Sequence, residues 1–114
     1  CDAILGALGQ GDIGKHFPDS DAAFKDIYSI KLLKEVIKSA DTDGFILGNA
    51  DITVICQAPK LASHIEKIKE LLSQCCNVAP GAINIKATTT EKMGFTGREE
   101  GISCHAVVLL QLAS

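Results

Sequence analysis

The sequence predicts an α+β fold, in which a small mixed sheet carries helices packed on one face. Two stretches, residues 30–40 and 65–75, place apolar side chains three and four positions apart, as amphipathic helices do. Three other stretches, residues 50–56, 83–88 and 102–112, are alternating or β-branched, which is typical of strands. Three strands are few for this much apolar sequence. We therefore expect a preceding segment or neighbouring subunits to complete the core.

The composition narrows the range of partners. The 114 residues suit one domain with one modest core. A net charge of −3 and 4% aromatic residues offer no basic surface for nucleic acid. No apolar run approaches the roughly 20 residues that span a bilayer. Five cysteines without a CxxC pair indicate reduced thiols in a cytosol-like compartment. We thus predict neither nucleic acid nor a membrane as partner.

The first part of the chain contains a helix end and a long loop. The sequence begins in what reads as the second half of an amphipathic helix, which should end near residues 9–11, and we expect a longer protein. Residues 11–21 then read as a loop with three aspartates, Asp12, Asp19 and Asp21. These could be turn formers, which we favour, or they could hold a cation or a hydroxyl-rich ligand.

The middle of the chain alternates helix and strand. Ser29 is the predicted N-cap of the helix at residues 30–40, and residues 45–49 lead into the next strand. The chain leaves that strand through a segment containing Pro59, and the helix at residues 65–75 follows. The adjacent Cys75 and Cys76 could serve redox or metal chemistry, but packing at the helix end is the favoured role.

The loop at residues 88–101 has the most unusual composition. Three threonines end a strand, and Glu91 adds a carboxylate that suits a divalent cation bridging phosphates. Three glycines permit close backbone approach, and Arg98 offers a planar cationic group. The alternative is a polar hairpin loop, and this stretch alone does not decide between the two.

Strand ends in open sheets tend to gather ligands, and the loops at residues 56–62 and 88–101 both follow strands. Lys60 could point its ammonium at a phosphate, although most surface lysines are inert. The sequence has no GxSxG, GxxxxGK[ST] or HExxH motif, and its three histidines lack metal-ligand spacing.

Three motifs occur together in order: Gly11–Asp21, Gly48–Lys60 and Lys86–Gly101. This combination closely resembles the 2-C-methyl-D-erythritol 2,4-cyclodiphosphate synthase family. The resemblance implies cyclisation of 4-diphosphocytidyl-2-C-methyl-D-erythritol 2-phosphate with release of CMP, in the non-mevalonate isoprenoid pathway. It also implies a homotrimer with active sites between subunits, a possible isoprenoid diphosphate in the trimer channel, and a location in the bacterial cytoplasm or plastid stroma.

The resemblance assigns roles to individual residues. The methylerythritol-phosphate pocket would be formed by Asp12, Ile13, Gly14, Phe17, Pro18, Asp19, Ser20 and Asp21. The cytidine pocket would be formed by Cys56, Gln57, Ala58, Pro59, Lys60, Leu61 and Ala62. The phosphates would be contacted by Thr88, Thr89 and Thr90, with Thr89 stabilising the transition state. Glu91 would bind magnesium or manganese. Phe95 and Arg98 would lie at the substrate and the trimer axis, with Glu100 close by.

The family's zinc-type site lies in an N-terminal segment that this sequence does not contain. We therefore assign zinc to none of His16, His64 and His105. Residues 1–114 are expected to form a single domain that lacks the family's N-terminal strands. A protein that truly began at Cys1 would be expected to be inactive and poorly folded. The alternative function is a non-catalytic trimeric module that binds a nucleotide or isoprenoid phosphate.

Overall fold

The computed structural model describes residues 1–18, 20–21 and 27–113, so the predicted site residue Asp19 lies outside the described residues. The helices are α1 (Asp2–Ala7), α2 (Ile13–His16), α3 (Ser29–Thr42), α4 (Ile65–Cys76) and α5 (Gly94–Gly97). The strands are β1 (Phe45–Ile55), β2 (Ile83–Thr88) and β3 (Ser103–Leu112). Short 3-10 turns at Ala62–His64 and Pro80–Ala82 flank α4.

The three strands form one mixed sheet in the order β2-β1-β3. The central β1 runs parallel to β2 and antiparallel to β3. A parallel pair needs a crossover connection, and α4 supplies it between β1 and β2. The β1–β3 register shifts at Gly48, where an added side chain would approach the Leu109 carbonyl oxygen.

The core lies between one face of this sheet and the helices. Its buried members come from α1, α3, α4, β1 and β2: Ile4, Leu5, Leu33, Val36, Ala40, Leu47, Ala50, Cys75, Cys76 and Ile83. Full burial of such an aliphatic side chain contributes about 1.5–3 kcal/mol. The predicted α+β class, with a small mixed sheet and helices on one face, is confirmed.

The vicinal cysteines pack as the sequence analysis favoured. Cys75 and Cys76 lie in the last turn of α4, both are buried in the core, and both are free thiols. Burial raises the pKa of the Cys76 thiol, and the neighbouring Cys75 adds to the shift. A neutral, buried thiol behaves as a small apolar side chain, which fits a packing role.

Three predicted boundaries were wrong. Ser29 is the first helical residue of α3 instead of its N-cap, and Tyr28 holds the cap position. The lead-in at residues 45–49 belongs to β1, because β3 is long enough to pair back to Phe45. The predicted loop at residues 11–21 contains α2, because the Asp12 carboxylate caps that turn by accepting from the Lys15 N–H at 3.0 Å.

In the described part of the chain, no helix has the length and apolar character needed to cross a membrane.

Candidate active site

The candidate site lies where β1 and β2 end. Because the two strands are parallel and Ile55 pairs with Thr88, their carboxyl ends meet at one edge of the sheet. The Cys56 N–H extends the pairing by donating to the Thr88 carbonyl oxygen at 3.0 Å. A cleft of about 340 Å³ opens there. Its lining residues are Cys56, Gln57, Lys60, Leu61, Ala62, Ala87, Thr88 and Thr89.

The sequence analysis named every one of these lining residues except Ala87. The missed residue carries no reactive group, so only its position just before the strand end could have signalled it. The predicted cytidine and phosphate loops, which are about 30 positions apart in the sequence, therefore face one cleft.

The first wall of the cleft is the loop that leaves β1. The Cys56 side chain is 6% exposed, and its thiol donates to the Ala58 carbonyl oxygen at 3.0 Å. The Pro59 carbonyl oxygen lies 3.7 Å from the same sulfur. A thiol is a weak donor, but here it ties the start of the loop to its tip. Lys60 follows, is exposed and lines the cleft.

The second wall is the end of β2, formed by Ala87, Thr88 and Thr89. The turn that follows carries Glu91 and Lys92, which come directly after this wall in the sequence but do not line the cleft. Glu91 and Lys92 both have positive φ, at 54° and 69°. Left-handed backbone at a residue other than glycine costs about 1–2 kcal/mol, so neighbouring interactions must hold it. Two of them are local: the Glu91 N–H donates to the Thr89 hydroxyl at 3.1 Å, and the Met93 N–H donates to the Thr90 carbonyl at 3.1 Å.

Residues of α5 also contact the turn. The Thr90 hydroxyl lies 2.5 Å from the Met93 carbonyl oxygen, to which it donates, and 3.0 Å from the buried Thr96 hydroxyl. A β-carbon at Gly97 would overlap the Lys92 backbone, so only glycine fits there. The sequence analysis did not single out Thr96 or the specific role of Gly97. Neither residue has reactive chemistry, and their importance comes from close packing that only the folded loop reveals.

A further hydrogen bond joins the loop that leaves β1 to the turn after β2. The Lys92 N–H donates to the Gln57 side-chain oxygen at 2.9 Å, across 35 sequence positions. The turn that carries Glu91 is therefore tied to the loop that carries Lys60.

The donor set at this edge limits what metal could bind. In the described residues, no group of three or more His, Cys, Asp or Glu side chains could hold a metal ion. Glu91 is a single exposed carboxylate beside threonine hydroxyls. Magnesium is commonly bound by one or two carboxylates plus substrate phosphates, with water completing its shell. The carboxylate of Glu91 can therefore contribute one ligand to a magnesium-type ion.

The other predicted site residues lie elsewhere. Among the described residues of the segment 12–21, none lines the cleft. The start of this segment is anchored to α1, because the Ile13 N–H donates to the Asp2 carboxylate at 2.7 Å. His16 lies with its Nε2 2.6 Å from the Gln10 carbonyl oxygen, so its role in this structure is structural.

Phe95 and Arg98 also lie outside the cleft lining. Arg98 makes a two-pronged contact with Glu100, with Nε to Oε1 at 2.9 Å and Nη2 to Oε2 at 3.2 Å. The predicted proximity of Arg98 and Glu100 is confirmed. Phe95 is half-exposed and lies beside Gly101.

Comparison with known proteins identifies the family. The model of the YgbB family matches residues 1–111. The chain belongs to the YgbB family. A relative from Syntrophotalea carbinolica, named 2-C-methyl-D-erythritol 2,4-cyclodiphosphate synthase, is 60% identical over 114 residues, which are 100% of this chain and 70% of that protein. The resemblance seen in the sequence is confirmed.

Two further YgbB-type comparisons define the extent of the match. The bifunctional enzyme IspD/IspF of Desulfotalea psychrophila is 63% identical over 111 residues, covering 97% of this chain but only 29% of that protein. A solved structure described as an IspF–CDP complex from Plasmodium falciparum superposes with a TM-score of 0.86 at 34% identity. The match covers 99% of this chain and 67% of that one. This YgbB-family chain therefore spans less than a third of the bifunctional relative and about two thirds of the others.

Proposed function

We propose that the protein converts 4-diphosphocytidyl-2-C-methyl-D-erythritol 2-phosphate into 2-C-methyl-D-erythritol 2,4-cyclodiphosphate and CMP, in non-mevalonate isoprenoid biosynthesis. The observation that carries this proposal is the cleft between the loop of Lys60 and the end of β2, with the turn of Glu91 tied to that loop by the hydrogen bond from Lys92 to Gln57. Relatives named as this synthase, with 56% identity or more, support the catalytic reading over a non-catalytic binding module.

The reaction needs no protein nucleophile. An oxygen of the substrate's 2-phosphate attacks the β-phosphorus, a new phosphorus–oxygen bond closes the ring, and the bond to the CMP oxygen breaks. The difficulty is electrostatic, because two anionic groups must approach each other. Two like unit charges 4 Å apart repel by about 4 kcal/mol at the dielectric typical of a protein surface. Catalysis therefore depends on positioning and on charge stabilisation.

The residues of the cleft can meet both needs. Lys60 provides a positive charge for the phosphate that leaves with CMP. The Thr89 hydroxyl accepts the Glu91 N–H, so its own hydrogen is left to donate toward an anionic oxygen. This fixed orientation suits Thr89 to the transition state, in which charge on the transferring group is redistributed. Backbone groups of the loop at residues 56–62 would read the cytosine edge.

Glu91 would contribute a carboxylate ligand to a magnesium or manganese ion. Such an ion would supply positive charge that offsets the charge of the phosphates. A zinc-type ion would be held by a segment outside this sequence, so we assign it no ligand among residues 1–114, which in this proposal form a single synthase domain.

The proposed assembly is a homotrimer with sites between subunits. Two features support it: the exposed apolar residues Val107 and Leu109 of β3, and the position of the segment 12–21 outside its own chain's cleft. A neighbouring subunit would bring its segment 12–21 to the open side of the cleft. Arg98 and Phe95 would then lie toward the trimer axis, where a channel could take an isoprenoid diphosphate. The proposed location is the cytoplasm or plastid stroma.

The test is the substitution Glu91→Gln in the complete protein. Loss of the metal-binding charge should lower magnesium-dependent CMP release by about 100-fold or more, because such an ion supplies several kcal/mol of charge stabilisation. The melting temperature should change little, since Glu91 is an exposed loop residue.

The matched control is Glu66→Gln, which removes an equal charge from the first turn of α4 instead of from the turn after β2. It should release CMP at the wild-type rate. A Glu91→Gln protein with a wild-type rate and magnesium requirement would remove Glu91 from the proposal. Failure of the wild-type protein to release CMP at all would overturn the proposed reaction.

A further inference from the structure

Gln57 links the loop that leaves β1 to the turn after β2. It lies two residues after the end of β1 and is half-buried, and its side chain reaches the turn after β2. Because the Lys92 backbone nitrogen carries a hydrogen, the atom facing it must be the Gln57 side-chain oxygen. The chemistry of the partner thus fixes the orientation of this amide.

The bond falls where the turn most needs support. Lys92 is the second of two consecutive residues with positive φ, and Glu91 is the first. The other hydrogen bonds that hold these residues come from within the turn itself, from Thr89 and Thr90. Gln57 is the described partner that ties the turn to β1, so it sets the placement of the turn as well as its shape.

We propose that Gln57 is a positioning residue for Glu91: its side-chain oxygen fixes the Glu91–Lys92 turn against the cleft and thereby places the metal-binding carboxylate. This inference rests on the proposed function, because Glu91 matters there as a ligand. It goes beyond the place in the cytidine pocket that the resemblance implies for Gln57, since the side-chain oxygen is engaged by the Lys92 N–H. Misplacing Glu91 should weaken the chemical step more than nucleotide binding.

The test compares two substitutions in the complete protein. Gln57→Met keeps the length and most of the volume but removes the acceptor. Gln57→Glu keeps an acceptor oxygen in the same place. With Gln57→Met we expect kcat to fall by about tenfold or more and the magnesium concentration for half-maximal rate to rise, because the ligand is displaced.

Gln57→Glu separates positioning from simple loss of fold. It should restore most of kcat relative to Gln57→Met, while its added negative charge raises KM for the anionic substrate. If Gln57→Met and Gln57→Glu lower kcat equally, or if Gln57→Met leaves kcat and the magnesium requirement unchanged, the inference is overturned.

A second measurement does not depend on turnover. Hydrogen exchange at the Lys92 amide should accelerate by about tenfold or more in Gln57→Met and remain near the wild-type rate in Gln57→Glu. Unchanged protection in Gln57→Met would contradict the proposed bond. If the exchange rates of the variants change as expected but the wild-type protein never releases CMP, the proposed reaction is refuted and the placement of the turn by Gln57 still holds.

Discussion

The cleft edge differs from the open face of the sheet, which is the face that carries Val107 and Leu109 of β3. The two regions differ in how completely the chain covers or pairs its own side chains. At the cleft, Thr89, Thr90 and Gln57 each make a hydrogen bond within the chain, and the turn is held from both sides. On the open face, Val107 and Leu109 are 73% and 62% exposed. The difference indicates that one region is shaped by a single chain and that the other is suited to contact with a neighbour.

The contrast arises from the pattern of β3. Its residues alternate, so Val108 and Leu110 pack against the core while Val107 and Leu109 face outward. A strand with one solvated face normally carries polar residues there. Apolar residues in these positions gain stabilisation only when another surface covers them, at about 1.5–3 kcal/mol for each side chain fully buried.

The largest effect is expected from Leu109→Asp. In a trimer built on the open face, a carboxylate at this position would be buried without a partner, so the protein should dissociate and lose most of its CMP release. Sedimentation velocity gives the oligomeric state, and CMP release is measured on the same samples.

Leu71→Asp provides the matched control, because Leu71 is an exposed leucine of α4 in the helix layer. It should leave the assembly and the CMP release intact. A Leu109→Asp protein that remains trimeric would place the subunit contact on a different surface. Dissociation in both variants would point to a general effect of added charge instead of a contact at the open face.

A smaller effect is expected at the cleft from Lys60→Ala. Removing this charge should weaken CMP binding by about tenfold, the range expected for a partly exposed hydrogen bond between charged groups. Titration calorimetry measures the affinity directly. The control Lys67→Ala removes a lysine from the exposed side of α4 and should bind CMP as the wild type does. Equal affinity in all three proteins would exclude Lys60 from the nucleotide site.

The sequence predicted the architecture well because periodicity reflects burial. The span of β2 and the alternating faces of β3 follow from apolar spacing alone, and both agree with the structure. The cleft residues were predictable for a different reason: they sit directly after strands, and parallel strands bring their ends together.

The remaining features depend on contacts that are distant in sequence. Asp12 is a residue type that often caps helices, but α2 has too few residues to show the hydrophobic periodicity of a helix. The bond from Gln57 to Lys92 spans 35 positions, and no local pattern announces it. The absence of the described residues of the segment 12–21 from the cleft lining likewise follows from tertiary packing, so a sequence motif could not reveal it.

The smallest effect is expected from Asp51→Asn, which tests the polar part of the open face. Asp51 lies opposite Val107 in the β1–β3 register, and its carboxylate contacts Lys86 at 2.8 Å and Asn84 at 3.0 Å. The hydrogen bond from Lys86, followed by that from Asn84, lowers the pKa of Asp51 below its ordinary 3.8. A lowered pKa means that the folded state binds the proton less readily than the unfolded state. The stabilisation is therefore present above pH 3.8 and is lost as the pH falls below that value.

At neutral pH, Asp51→Asn should lower the melting temperature by less than about 2 °C, because the ion pair is solvent-exposed in the single chain. The difference from the wild type should shrink as the pH falls below 3.8. The effect of salt then distinguishes a face that is covered by a neighbouring subunit from a face that is open to water. If a neighbour covers the pair, 1 M salt should leave the neutral-pH difference largely intact, because covered charges are poorly screened. In the Leu109→Asp background the same salt should abolish it. Equal salt sensitivity in both backgrounds would mean that this face stays open to water.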